Sequence, residues 1–277
     1  MKIKSKEKEL YIGENTLIMG IINFTPDSFS DGGLYDSVDE VVKTAVYMLE
    51  NGADIIDVGG ESTRPFSDRV DENEELRRVI PIIEELRNRT DAWISIDTYK
   101  SKVAECAVQA GADIINDVSG LRFDSKMTDV VRDHDVPVVV MHMLGEPKNM
   151  QDNPVYGDVV KEIHEYFEER IEYLVSNGIS SEKIIIDPGI GFGKTIEHNL
   201  KIINNLDYFK SLGKPILAGP SRKAFIGKIL DTDVNDRLEG TAAAVSLLIA
   251  RGADIVRVHD VKEMRRVSVI SDAITNS

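Results

Sequence analysis

The chain closes one short apolar run after another on a residue able to do chemistry: Asn23, Asp57, Asp97, Asn116, Met141 with His142, Asp187, and Arg257 with His259. Lys223 lies just past a further run. Asp97, Asn116, Asp187 and Lys223 together would offer fixed acceptors, an amide and one cation. Such a set suits a flat heterocycle whose edge alternates donors and acceptors. Arg257, His259 and Arg64 form a second, cationic set suited to phosphate oxygens. Any single aspartate ending a buried strand serves equally well as a cap for the next helix, a reading that does not account for the whole set.

For these residues to meet, the elements carrying them must point at one place. Period-2 and β-branched runs predict strands over 16–23, 54–59, 93–97, 113–117, 137–142, 183–187, 215–219 and 254–259. Amphipathic stretches separate them. In "DEVVKTAVYMLENG", Val42, Ala45, Val46 and Leu49 share one face, acids enter the helix and Asn-Gly leaves it. Strand and helix alternating in this way make parallel strands, because each crossover needs a helix. Eight such units in about 250 residues predict an α/β fold, a single (β/α)8 TIM barrel over 1–277 with long loops after strands 1 and 2. A doubly wound open sheet ranks lower, since no glycine-rich turn follows the first strand.

Three of the units share text: "NGADIID" from Asn51, "AGADIIND" from Ala110 and "RGADIVRVHD" from Arg251. In a barrel each helix must end, turn through a residue that tolerates positive φ and feed a buried strand. Gly-Ala-Asp plus an apolar run supplies that scaffold. The variable residue at the strand's C-terminal end is where barrel enzymes place chemistry: Asp57 in the first copy, Asn116-Asp117 in the second, Arg257 and His259 in the third.

Composition narrows the function. The 277 residues are 42% apolar, with a formal charge of −15 and a pI near 4.8. That balance argues against nucleic acid or an anionic membrane surface as partner, since both need a basic footprint. No run approaches the roughly 20 apolar residues of a membrane span, and Met1 to Leu10 is too charged for a secretory leader, so a cytoplasmic protein is expected. The single cysteine, Cys106, excludes an internal disulfide and reads as a helix-packing thiol.

"DPGIGFGKT" ends like a phosphate loop, but Pro188 stands where that motif needs its first glycine, removing a backbone donor and fixing φ. Its glycines more simply let the chain turn so that Asp187 and Phe192 face the mouth. In "GPSRKAF", Ser221 can cap the following helix and leave backbone N–H groups beside Arg222 and Lys223 for a carboxylate. The irregular stretches "FTPDSFSDGGLYDS", "ESTRPFSDR" and "MLGEPKNMQDNPVYGD" have the composition of active-site loops.

Eight segments, "MGIINFTPDSFSDGG", "DVGGESTRP", "SIDTYK", "INDVSG", "MHMLGEPKNMQ", "DPGIGFGK", "SRKAF" and "VRVHD", resemble in type and order the dihydropteroate synthase family, from about Thr16 to Val261. The resemblance implies a TIM barrel that condenses (7,8-dihydropterin-6-yl)methyl diphosphate with 4-aminobenzoate, giving dihydropteroate and pyrophosphate in folate synthesis. It implies that Asp97, Asn116, Met141, Asp187 and Lys223 bind the pterin. It assigns Asn23 to Mg²⁺ and, with Thr63, Arg64, Arg257 and His259, to the diphosphate; Asp31 is carried over as a catalytic-loop residue. Phe29, Pro65, Phe192, Ser221, Lys223 and Ala224 would form the 4-aminobenzoate site. The catalytic set expected from it is Asp31, Arg64, Lys223, Arg257 and His259, in a homodimer joined through late helices and inhibited by sulfonamides. Two departures are visible: Phe66 stands where many members carry glycine, and Ala224 follows Lys223 where some carry Ser or Arg. A corrinoid-linked methyltransferase shares the pterin floor, but has no diphosphate to neutralise and would leave "STRP", "SRK" and "RVHD" without a purpose. A catalytically silent pterin-binding protein would be expected to have lost some of these residues.

Overall fold

The computed structural model describes residues 1–24, 38–62 and 69–277; the candidate residues Phe29, Asp31, Thr63, Arg64, Pro65 and Phe66 lie outside that range. The chain opens with an antiparallel hairpin, β1 (Lys2–Ser5) and β2 (Lys8–Tyr11), pairing Ile3 with Leu10. Eight parallel strands follow: β3 (Leu17–Asn23), β4 (Ile55–Gly59), β5 (Trp93–Asp97), β6 (Ile114–Asp117), β7 (Val138–Met141), β8 (Ile184–Asp187), β9 (Leu217–Ala218) and β10 (Ile255–Val258). They run in the order β8-β7-β6-β5-β4-β3-β10-β9, and a parallel bridge between Ile186 and Ile216 joins the two ends into a barrel. The helices between them are α1 (Val38–Glu50), α2 (Glu72–Arg89), α3 (Ser101–Ala110), α4 (Met127–His134), α5 (Val159–Ser176), α6 (Ile196–Asn204), α7 (Ala224–Leu230), α8 (Leu238–Ala250) and α9 (Val261–Thr275).

Alternation along each strand divides the core in two. Ile18, Ile56, Ile94, Ile115, Val138, Ile184 and Val256 face outward and pack with the helices. Met19, Ile55, Trp93, Ile114, Val139, Ile185, Leu217 and Ile255, one from every strand, face inward and fill the N-terminal end of the barrel. Ile3, Leu10 and Ile12 pack against that inner layer, so the hairpin plugs the closed end. Sequence analysis predicts no strand in the first eleven residues. Their alternation is masked by Lys and Glu on the outer face, where Lys2 and Lys4 pair with Glu9. Lys8 instead reaches across to Asp113 at 2.9 Å and to Ala92 O at 3.0 Å.

The Gly-Ala-Asp copies act as scaffold in one repeated way. Gly52, Gly111 and Gly252 all take positive φ, 102°, 124° and 92°, a conformation open to glycine without cost. The aspartate two residues later then grips the neighbouring strand with both backbone and side chain. Asp54 N donates to Ile18 O while its carboxylate accepts from Ile18 N; Asp113 does the same with Ile94 and Asp254 with Ile216. Arg265 completes the first clamp through Gly52 O and Asp54, and Arg87 the second through Gly111 O and Asp113.

Candidate active site

With the inner layer closing one end, the residues at the C-terminal ends of the strands form a floor for the open end. Five residues after each Gly of the repeats stand Asp57, Asn116 and Arg257, and these three meet directly. Asp57 Oδ2 accepts from Arg257 Nε at 2.6 Å and from Asn116 Nδ2 at 3.1 Å. Arg257 Nη2 extends to Asp97 Oδ2 at 2.7 Å, so one guanidinium bridges two buried carboxylates contributed by β4 and β5. Asp57 was read as a strand-end residue without a site role; its accessibility of 0% and its two site-residue partners make it the central anchor of this floor. The second oxygens, Oδ1 of Asp57 and of Asp97, are buried without a hydrogen-bond partner. Acceptors of that kind suit a ligand's N–H groups or ordered water.

Above the floor, Asp97, Asn116, Met141, Asp187 and Lys223 line one cavity, together with Phe192 and Arg257. Four members of the sequence-derived pterin set, Asp97, Asn116, Met141 and Asp187, come from strand ends, and Lys223 comes from the residue before α7. Val118, Ile190, Gly189 and Gly219 share the lining and were not anticipated. The signal for Val118 was present, since it lies two residues beyond Asn116 and so on the same side of an extended chain. Lys223 Nζ sits 4.0 Å from the centroid of the Phe192 ring, a cation–π contact that joins the polar rim to an apolar wall. Met141 and Phe192 belong to an apolar cluster with Tyr99, Val118, Met143 and Met150 on the mouth side of the barrel.

Burial sets the electrostatics. It raises Asp97 to about 7, with the Arg257 guanidinium opposing and Asp57 assisting. Burial likewise raises Asp187 to about 6, against the Gly189 N–H at 2.8 Å and the charge of Lys223. Two carboxyls poised near neutrality in one cavity mark it as a site built for a polar ligand rather than as core.

Other expectations are corrected. His259 was placed in a cationic set; burial, with Arg222 and Arg257 nearby, lowers it to about 3, which favours the neutral ring. Ser221 was expected to cap the following helix. Its Oγ instead shares a hydrogen bond of 2.9 Å with His259 Nδ1 and accepts from His259 N, while Lys223 is the N-cap residue of α7 and makes no side-chain cap bond. Arg222, read as an anion neighbour, is in the left-handed region at φ 54° and its guanidinium grips Asp260 at 3.1 and 2.6 Å. Asp117 turns away from the cavity and caps its own loop through Ser119 N and Leu121 N. Ala224 is exposed at the first position of α7.

Asn23 ends β3 beside Asp97. A Cβ on Gly59 would lie 3.2 Å from Asn23 Oδ1 and 3.5 Å from Asp97 Cβ, so glycine at 59 keeps the gap between them open. Among the described residues no group of three acidic, His or Cys side chains is arranged to hold a metal by itself. Asn23 supplies one neutral oxygen. That donor fits Mg²⁺ in its common mode, with substrate phosphates and water completing the shell. The Gly193-Lys194-Thr195 stretch is not a phosphate cradle: Lys194 is 3% exposed and bonded to protein acceptors, and Thr195 caps α6 in a capping box with His198.

The model of the family described as pterin binding enzyme matches residues 19–259. A dihydropteroate synthase of Clostridium beijerinckii is 50% identical over 275 residues, 99% of either chain. Among solved structures, a Yersinia pestis dihydropteroate synthase with a sulfonamide drug superposes with a TM-score of 0.96 at 40% identity over the whole of both chains. A Xanthomonas albilineans dihydropteroate synthase in complex with 7,8-dihydropteroate gives 0.89 at 39% identity, again over the whole of both.

Proposed function

We propose, from the premise that the chain belongs to the pterin-binding enzyme family and stands among its dihydropteroate synthases, that the cavity beneath Phe192 and Lys223 carries out the condensing step of folate synthesis. The substrates are (7,8-dihydropterin-6-yl)methyl diphosphate and 4-aminobenzoate, and the products 7,8-dihydropteroate and pyrophosphate. The observation that carries this reading is the meeting of Asp57, Asn116 and Arg257, with Asp97, Asp187 and Lys223, around a single cavity.

Each residue then has a task that follows from its chemistry. Asp97 and Asp187 accept from the pterin's ring N–H and amino groups, Asn116 offers both an acceptor and a donor, and Lys223 donates to the ring carbonyl. Arg257 is tethered to Asp57 through Nε, and a pterin donor arriving at Asp97 takes over the acceptor that Nη2 holds. The freed end of the guanidinium then serves the diphosphate, with Asn23, the neutral His259, Thr63 and Arg64. Asn23 would hold Mg²⁺, and the ion when bound would supply neutralisation of leaving-group charge.

The displacement is dissociative. The bond from the methylene carbon to the diphosphate oxygen breaks with its electron pair leaving on oxygen, the electron-rich pterin delocalises the positive charge, and the arylamine nitrogen attacks the methylene. Because the arylamine itself supplies the electron pair of the new C–N bond, no protein nucleophile is needed, and the nitrogen's proton leaves to pyrophosphate or solvent. Phe29, Pro65, Phe192, Ser221, Lys223 and Ala224 hold the arylamine, Asp31 acts from the first loop, and sulfonamides compete there as mimics. Pyrophosphate release that requires both substrates is the test. Release with neither arylamine dependence nor dihydropteroate formation would refute the reading. Scrambling of ¹⁸O from the bridging position without 4-aminobenzoate reports the dissociative step.

The same reading makes the enzyme a cytoplasmic homodimer. No helix among the described residues is long and apolar enough to cross a membrane. Leu247 on α8 and Val269, Ile270 and Ile274 on α9 are exposed apolar side chains on two helices that pack together, which supports an interface with a second copy there. Sedimentation equilibrium of the wild type against Ile270→Glu tests it.

A further inference from the structure

Behind the Phe192 wall is a buried cation that the reaction outlined above does not use. Lys194 Nζ, three donors in all, meets three acceptors: Phe192 O at 2.9 Å, His142 Nδ1 at 3.0 Å and His142 O at 3.3 Å. His142 is buried and held neutral by burial, with Lys194 and Arg122 adding to the effect, which leaves Nδ1 able to accept. Among the described residues no carboxylate touches the ammonium, and burial lowers it to about 7. Burying an ammonium carries a desolvation cost that an apolar side chain would not, so packing alone gives no reason for a lysine.

What the lysine holds is the turn that presents Phe192. All three carbonyls of Gly191-Phe192-Gly193 are taken by side chains: Gly191 O by Gln151 Nε2 at 2.6 Å, Phe192 O by Lys194, and Gly193 O by Tyr156 Oη at 2.9 Å. Gln151 and Tyr156 come from the segment after β7, and His142 is the first residue beyond that strand. The turn after β8 is therefore bolted to the turn after β7, so closely that a Cβ on Gly189 would overlap His142 O.

We propose that Lys194 is a positioning residue for the arylamine subsite: it fixes the backbone of Phe192, and through it the ring that walls the cavity and supports Lys223, while Gln151 and Tyr156 brace the same turn. This rests on the reading of the cavity as a dihydropteroate synthase site. It assigns Lys194 no contact with substrate.

The test is steady-state kinetics with both substrates varied, on wild type, Lys194→Met, Gln151→Leu and Tyr156→Phe, with dihydropterin binding measured directly by calorimetry. Lys194→Met should raise KM for 4-aminobenzoate about tenfold and weaken dihydropterin binding by about threefold or less, because Asp97, Asn116 and Asp187 are untouched and only the support of Lys223 is loosened. Gln151→Leu and Tyr156→Phe, at half-buried positions, should raise the same KM about threefold, and they carry the test if Lys194→Met does not fold. In a Phe192→Leu background the effect of Lys194→Met should shrink below about twofold, since its route of action is gone. An unchanged KM across the three single variants, or an undiminished Lys194→Met effect in that background, overturns the inference. Absence of pyrophosphate release by wild type with both substrates overturns the underlying reading instead.

Discussion

The two ends of the three Gly-Ala-Asp units make opposite use of the same strands. At the closed end, two residues after each glycine, Asp54, Asp113 and Asp254 do one job three times, each gripping the N–H and C=O of a neighbouring strand. At the open end, five residues after the same glycines, Asp57, Asn116 and Arg257 differ, and they act once, together, on a single carboxylate oxygen. Both ends contain Arg–Asp pairs. Those at the closed end, Arg87–Asp113 and Arg265–Asp54, satisfy backbone groups as well, whereas Arg257 is shared between Asp57 and Asp97, whose other oxygens lack partners. A completed network stabilises; one left incomplete at a cavity has somewhere to receive a ligand.

That contrast is open to direct test. Its sharpest break is Arg257→Ala, expected to lower kcat/KM for the pterin diphosphate by about 100-fold or more. Because it strands two buried carboxylates, it should also cost about 3–5 kcal/mol in urea unfolding. Near-normal turnover would remove Arg257 from the chemistry. At the other end, Asp113→Ala leaves Ile94 N without its acceptor and takes one partner each from Lys8 and Arg87, and should cost about 3 kcal/mol of stability. Its kcat/KM at a temperature where the protein stays folded should remain within about twofold, and a tenfold loss there would show that the two ends are not separable.

Acidity distinguishes the ends further. Asp97 and Asp187 are raised to about 7 and about 6, chiefly by burial. A carboxyl raised in the folded state stabilises the fold most below the usual aspartate range and loses that contribution as pH climbs through its folded value. Accepting two donors from a heterocycle needs the ionised form. Calorimetry with a dihydropterin lacking diphosphate should therefore show binding tighten by about tenfold from about pH 5.5 to about pH 7.5. Asp187→Asn should weaken binding at the upper pH and flatten the curve; a flat wild-type curve would dissociate these carboxyls from the pterin. The smallest effect is expected of Ser221→Ala. It removes the hydrogen bond that orients His259 and the acceptor of His259 N, and should lower kcat/KM about threefold at a stability cost of about 1–2 kcal/mol.

Much of this was legible in one dimension. The eight barrel strands fall within a residue or so of the expected runs, except β9, which narrows to Leu217–Ala218 from an expected 215–219. The hairpin escaped because the Lys and Glu residues of its outer face mask a short apolar alternation. The candidate residues Asp97, Asn116, Met141, Asp187, Phe192, Lys223 and Arg257 do share a cavity. Asp57 and Lys194 carried too little local signal. An aspartate on a strand reads the same whether it anchors an arginine 200 residues away or caps a helix, and a lysine after glycine reads as solvent-facing until three acceptors are found around it.

Alternating strand and helix, the thrice-used scaffold text, and polar residues gathered at strand ends are properties of local order, and the chain's own period determines them. Which of those polar groups meet was decided only by closure of the barrel: Asn116 turns inward while Asp117 caps its loop, Arg257 lands between β4 and β5, and His259 loses its charge to burial. The reason is that facing, partner and protonation depend on register and desolvation between segments distant along the chain, and no window of adjacent residues contains either.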